Sequence, residues 1–205
     1  MMRIESVASQ PDRAGRYRII FTDGSAMRLY KQTVQDFGLY AGLDLEDQEF
    51  EKLCASAAEM SAKMRAVRIV SASSVSKRDL EQRLLQKGED AQYARKAVCW
   101  MEEMNLLDDR KTAEQIVSRC ISKGYGLSRA KQALYEKRIP KEYWQYALAD
   151  YPDQTEFIRE YVAAHLPPQP DQKAIKKVID ALLRKGHSYS DIRYVLAHCD
   201  MLEDE

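Results

Sequence analysis

The side chains with a claim to chemistry are three histidines, four cysteines and a few carboxylate pairs. A metal site needs ligands at recurring short spacings, and His165, His187 and His198 stand at no such spacing to one another or to a cysteine pair. His198 and Cys199 are neighbours, but adjacent residues of a helix point in different directions. Cys54, Cys99, Cys120 and Cys199 are far apart, and each falls on an apolar-periodic stretch. They read as buried free thiols of a reducing compartment. Gly124-Tyr125-Gly126 lacks the third glycine and the preceding strand of a phosphate-cradling loop. Asp108-Asp109 and Glu102-Glu103 read as exposed pairs. Catalysis, a metal and a cofactor are therefore not expected.

What remains is electrostatic. The formal net charge is zero, yet the charges are segregated. From Arg110 to Lys141 nine lysines and arginines face only Glu114 and Glu136, while 36–59 and 142–160 are acidic and the chain ends Glu203-Asp204-Glu205. Basic stretches of this kind attract a phosphate backbone or an acidic protein surface. The candidate contacts are Arg119, Lys123, Arg129, Lys131, Lys137, Arg138, Lys176 and Lys177. For any one of them, solvation of a helix face is the simpler role. Tyr93, Tyr125 and Tyr143 suit either base stacking or core edges, and Trp100 and Trp144 suit packing.

The elements that must position these charges announce themselves by repetition. Leu84-x-x-Lys87-Gly88, Leu134-x-x-Lys137-Arg138 and Leu182-x-x-Lys185-Gly186 are spaced 50 and 48 residues apart. Each closes an apolar-periodic helix and is followed by another. The offsets match on both sides: Leu80, Ala130 and Val178 precede the leucines by four, and Ala94, Trp144 and Ile192 follow the stop by six. Such a period marks a helical array whose units share a continuous core. Ser76 to Asp79 and Ser188 to Asp191 read as capping boxes, Asp90 as a further cap, and Gly88 and Gly186 as left-handed stops. Arg138 takes the same stop at a cost of about 1 kcal/mol, and Pro140 restarts the chain. Pro167-Pro168-Gln169-Pro170 reads as a stiff connector between the second and third units, leaving the third free to change its angle.

The first part differs. Tyr17 to Phe21 and Met27 to Tyr30 are rich in β-branched and aromatic residues and flank Asp23-Gly24, a hairpin signal. Residues 1–15 read as a loose end. Phe50, Leu53, Cys54, Ala57, Met60, Met64, Val67 and Val70 form one stripe on a helix running from about Leu45 to Ser71. With 205 residues, 45% hydrophobic and 31% charged, the chain reads as ordered and globular. The expected fold is mainly α: an elongated tandem array of three-helix repeats with a short N-terminal β-hairpin extension. The boundaries are 1–45 for the extension, 46–106 for a helix and the first repeat, 107–152 for the second and 153–205 for the third. No apolar run approaches the ~20 residues a membrane helix needs, and Met1-Met2-Arg3-Ile4-Glu5 does not read as a secretory signal, so the cytoplasm is expected.

From Ser76 to Leu148 the order of motifs resembles a known family. Ser76-x-x-Asp79-Leu80-x-x-x-Leu84-x-x-Lys87-Gly88 is followed by Asn105-Leu106-Leu107-Asp108-Asp109-x-x-x-Ala113, then Lys123-Gly124-Tyr125-Gly126, then Leu134-x-x-Lys137-Arg138-Ile139-Pro140. In that order they resemble RecX, the regulator of the RecA recombinase. The likeness extends through Leu182-x-x-Lys185-Gly186, and departs from it at Arg138, where the family usually has glycine, and at His187-Ser188-Tyr189. It implies a non-enzymatic protein that docks in the groove of the RecA–DNA filament, spans neighbouring subunits, inhibits ATP hydrolysis and strand exchange, promotes disassembly, and in some members binds single- or double-stranded DNA; a monomer is expected. Two rivals stay open on the residues alone: a stand-alone DNA-binding helical module, and a helical-repeat scaffold for another protein.

Overall fold

The computed structural model describes residues 1–198. Cys199 and the acidic end Glu203-Asp204-Glu205 lie outside the described residues. The chain divides into two compact units, Met1–Leu107 and the part from Asp108 onward. It is mainly helical, with one small antiparallel sheet at the N-terminus.

In the first unit the hairpin forms where the sequence puts it. β2 (Arg16–Phe21) pairs with β3 (Ala26–Tyr30), and at the turn Ser25 donates its amide to Asp23 Oδ1 at 2.9 Å. The loose end is a correction. Residues 2–7 form β1 (Met2–Val7), which pairs with β2 on one side and with β4 (Asp44–Leu45) on the other, in the order β3-β2-β1-β4. An isolated hairpin buries too little to stand alone. β1 supplies Ile4, 1% exposed, to a core with Ile19, Phe21, Leu29, Leu45 and Leu53. The short helix α1 (Lys31–Asp36), unforeseen from sequence, leads from β3 towards β4.

α2 (Asp47–Ala72) runs unbroken for 26 residues and begins with a reciprocal cap between Glu46 and Glu49. Its first half packs on the sheet through Leu53 and its second half on α3 (Lys77–Gln86) and α4 (Ala91–Glu103). The buried line is Leu53, Ala62, Ala66 and Ile69, whereas Met60 and Met64 are only half-buried. Ala62 and Ala66 share a core with Ala94 and Ala97 of α4, and small residues let two helices approach closely.

The second unit holds two helical cores. α5 (Asp109–Ser122), α6 (Leu127–Glu136) and a single 3₁₀ turn leading into α7 (Trp144–Leu148) enclose Ala113, Val117, Ala130, Leu134 and Ile139. α8 (Thr155–His165), α9 (Gln172–Arg184) and α10 (Tyr189–His198) enclose Ile158, Val162, Val178, Leu182, Ile192 and Val195. The proline-rich connector is a second correction. It lies inside this last bundle, joining α8 to α9, because the helix before it packs with the two after it.

The three repeated motifs end their helices in one way. Leu84, Leu134 and Leu182 are each 0% exposed. Lys87, Lys137 and Lys185 cap the helices, and the next residue, Gly88, Arg138 or Gly186, is left-handed at φ 83°, 54° or 88°. The amides of Glu89, Ile139 and His187 then donate back to the carbonyls of Leu84, Leu134 and Leu182 at 3.1, 3.0 and 3.2 Å. Those of Gly88, Arg138 and Gly186 reach Leu85, Tyr135 and Leu183 at 2.9 Å each. This pair of bonds satisfies carbonyls that a helix end otherwise leaves open. The leucine accepts the capping amide with its backbone carbonyl, as any residue could, and it is the burial of its side chain that selects leucine.

Two smaller expectations also change. Cys120 is buried, but Cys54 is half-buried and Cys99 exposed, all three as free thiols. Asp109 is 3% exposed in the first turn of α5, while Asp108 accepts the amides of Arg110 and Lys111 at 2.9 and 3.1 Å. One member of that carboxylate pair is thus a helix cap rather than a solvated charge.

Candidate functional site

Cationic side chains converge at one place in the second unit. The end of α5 brings Arg119 and Lys123, the start of α6 brings Arg129, and the end of α9 brings Arg184 and Lys185. Tyr125 and Tyr161 stand among them. Lys123, Tyr125, Arg129, Tyr161, Arg184 and Lys185 line an open cleft of ≈ 620 Å³. Lys123, Tyr125 and Arg129 also border a smaller hollow of ≈ 180 Å³ with Arg119 and Lys137.

The cleft exists because two backbones meet beneath it. The amide of Gly126 donates to the carbonyl of Lys185 at 2.9 Å, and that of Ser128 to Gly186 at 3.3 Å. His187, 5% exposed, donates its Nε2–H to the carbonyl of Gly124 at 3.1 Å and stacks on Phe157. A carbonyl can only accept, so this contact selects the tautomer with the proton on Nε2. Burial chiefly, helped by Lys185, holds the imidazole below its ordinary pKa, against the pull of the Gly124 carbonyl and Asp191. Lys185 lies over the rings of Phe157 and Tyr161 at 5.0 and 4.7 Å, where the negative ring faces hold its charge.

Electrostatically the wall is positive, and Glu136 is a counter-ion within it. Arg129 pairs with Glu136 at 3.2 Å, and Gln132 donates to the same carboxylate. Lys123 and Arg184 are exposed and free to reach an anion. Burial pushes the Cys120 thiol in the adjoining hollow up, against the opposing charges of Arg129 and Lys123, so the sulfur stays protonated and poorly nucleophilic. Tyr151 donates its hydroxyl to the carbonyl of Tyr125 at 2.5 Å. Its pKa is pushed up to about 12, mainly by burial, so it remains a donor throughout the neutral range. Chemically the arrangement suits anions and a planar ring.

The sequence-derived residues divide. Arg119, Lys123, Arg129 and Lys137 are brought together at the cleft and its adjoining hollow. Lys131 is not: it borders a separate groove with Leu127, Lys141 and Trp144. Arg138 is exposed at the left-handed helix stop, and Lys176 and Lys177 are exposed near the start of α9. Arg184, Lys185 and Tyr161 were missed, although Lys185 carries the repeated motif. Tyr93, Tyr143, Trp100 and Trp144 are partly buried against helical cores, as their spacings indicate, and Tyr125 serves both a core and the cleft. The first unit has its own basic hollow of ≈ 540 Å³, with Arg65, Arg68, Arg83 and Lys87. Arg65 pairs there with Glu89 at 2.9 Å and Arg83 with Asp79 at 3.0 Å, so their charge is largely spent internally. Among the described residues no cluster of potential metal ligands is present, and no helix is long and apolar enough to cross a membrane.

No family model matches the chain. Individual proteins do. The regulatory protein RecX of Chlorobaculum tepidum is 34% identical over 137 residues, covering 65% of this chain and 84% of that protein. That of Vibrio parahaemolyticus is 30% identical over 145 residues, covering 69% and 93%. The chain belongs to the RecX family. Along nearly its whole length, 94% of the chain, it is also 24% identical to the regulatory protein RecX of Clostridioides difficile. Two RecX crystal structures share the fold. One superimposes with a TM-score of 0.65 at 20% identity over 96% of this chain and all of the other. A second, from Lactobacillus salivarius, gives 0.60 at 21% identity over 72% of this chain and 99% of the other. The cationic cleft thus sits on a chain of regulatory kin.

Proposed function

We propose that this protein regulates homologous recombination and DNA repair in the cytoplasm by binding the groove of the RecA–DNA filament and inhibiting its ATPase and strand exchange. On a RecX-family chain, the observation that carries this reading is the cleft where Lys123, Arg129, Arg184 and Lys185 surround Tyr125 and Tyr161. Its cations suit phosphates or an acidic protein surface, and the ring of Tyr125 suits an exposed base, whereas that of Tyr161 is already stacked on His165 and covered by Lys185. The action is binding alone, with neither cofactor nor bond-making step. A ligand that prefers one filament state shifts every subunit it touches towards that state, and turnover slows without chemistry by the regulator.

The test is RecA ATPase on single-stranded DNA, titrated with the parent protein and with Lys123→Glu/Arg184→Glu. Both residues are exposed, so the helical signal of the variant should be unchanged. The half-inhibitory concentration should rise about tenfold or more, since reversing two phosphate-facing cations weakens binding at each. Equal inhibition by parent and variant would sink the assignment of this cleft. Tight gel-shift of bare duplex with no effect on the ATPase would instead favour a stand-alone DNA-binding module.

A further inference from the structure

The residue that the cleft leaves out, Lys131, points to a second and chemically different surface. Leu127 and Lys131 are four apart on α6, and Trp144 and Leu148 are four apart on α7, so each pair shares a helix face. Together with Lys141 and Gln145 they line a groove of ≈ 580 Å³. Its floor is apolar. Leu127 is 41% exposed even though Ala130 and Leu134 of the same helix are fully buried. The Trp144 ring is held in place by its indole N–H, which donates to the carbonyl of Ile139 at 3.0 Å.

Charge then selects the occupant. The lining contains two lysines and no carboxylate. Arg110 and Arg129, elsewhere in the same bundle, pair with Glu114 and Glu136, but Lys131 and Lys141 form no ion pair among the described residues. A phosphate backbone would find few donors over such a floor. An acidic chain with bulky apolar side chains satisfies both parts: apolar groups displace water from Leu127, Trp144 and Leu148, and carboxylates reach the two ammonium groups. The aliphatic stems of the lysines extend the apolar wall while their heads stay wet. We propose that this groove docks an acidic amphipathic peptide segment of a protein partner, independently of the cationic cleft.

The test is an NMR titration of the isotope-labelled full chain with short synthetic peptides. One is acidic and amphipathic, one acidic without apolar side chains, and one amphipathic but basic. The first should move the Trp144 indole N–H and the amides of Leu127 and Lys131 saturably, and the other two should not. Lys131→Glu/Lys141→Glu should weaken that binding about tenfold, or about 1.4 kcal/mol, while single-stranded oligonucleotide binding stays as in the parent. Absence of a saturable shift, equal binding of the basic peptide, or affinity of the double variant within about twofold of the parent would overturn the proposal. The cleft is read separately through Lys123→Glu/Arg184→Glu, so either surface can fail alone.

Discussion

A Cβ placed on Gly126 would stand 2.1 Å from the carbonyl oxygen of Gly186. Gly126 has an ordinary φ of −75°, so its glycine is needed for the approach of another backbone and not for its own conformation. Gly126→Ala should cost about 1–3 kcal/mol, read from urea unfolding. In the variant, exchange of the amide at position 126 should quicken while the amides around Leu134 stay protected. Unchanged stability would show that the two backbones part without consequence.

His187 gives this junction a pH dependence with a definite sign. Its folded pKa lies below the ordinary 6.5, so the unfolded chain takes up the proton first as pH falls. Its contribution is therefore complete above about pH 6.5, declines as pH drops from there to the folded pKa, and is constant below it. His187→Gln keeps a donor and does not titrate. Urea midpoints at about pH 7.5 and about pH 5.5 should differ more for the parent than for the variant. Equal differences would mean the imidazole is not held neutral by the fold.

Arg138 occupies a left-handed stop at φ 54° where the other two repeats have Gly88 and Gly186. Arg138→Gly relieves steric strain of about 1–2 kcal/mol, partly offset by greater freedom of the unfolded chain. A net gain of about 0.5–1 kcal/mol in chemical denaturation is expected. A loss would show that the arginine side chain contributes more than the strain it imposes.

Tyr151 and the carbonyl of Tyr125 form a part-buried bond that steadies a cleft tyrosine. Tyr151→Phe leaves that carbonyl without this donor and should lower stability by about 1 kcal/mol. If Tyr125 stacks on bases, single-stranded DNA affinity should fall too. An unaltered DNA affinity together with the stability loss would confine Tyr151 to a structural role.

Much of the helical layout was legible because its signals are local. Capping serines and aspartates, a left-handed stop and an inward leucine act within a few residues, so the capping roles of Ser76, Asp90, Gly88 and Gly186 can be read from the local sequence. The strand β1 was not legible. Met2-Arg3-Ile4-Glu5 alternates too briefly to stand out, and only pairing with β2 and β4 makes it a strand. The stripe on α2 was legible in part: Phe50, Leu53, Ala57, Val67 and Val70 pack on the two cores, but Ala62 and Ala66 hold the buried places given to Met60 and Met64. Periodicity ranks Met60 and Met64 by hydropathy, whereas close packing against Ala94 and Ala97 ranks Ala62 and Ala66 higher.

The amino-acid sequence by itself determined the three leucine-lysine helix stops, their order and the basic character of the segment around Arg129. Each depends on bonds or charges close along the chain. Tertiary structure alone decided which charges share a surface. Arg129 and Lys131 are two residues apart, and that spacing sends them to different sides of one helix. Lys123 and Arg184 are 61 residues apart, yet Gly126 and Gly186, having no side chains to hold the backbones away, bring them to one cleft.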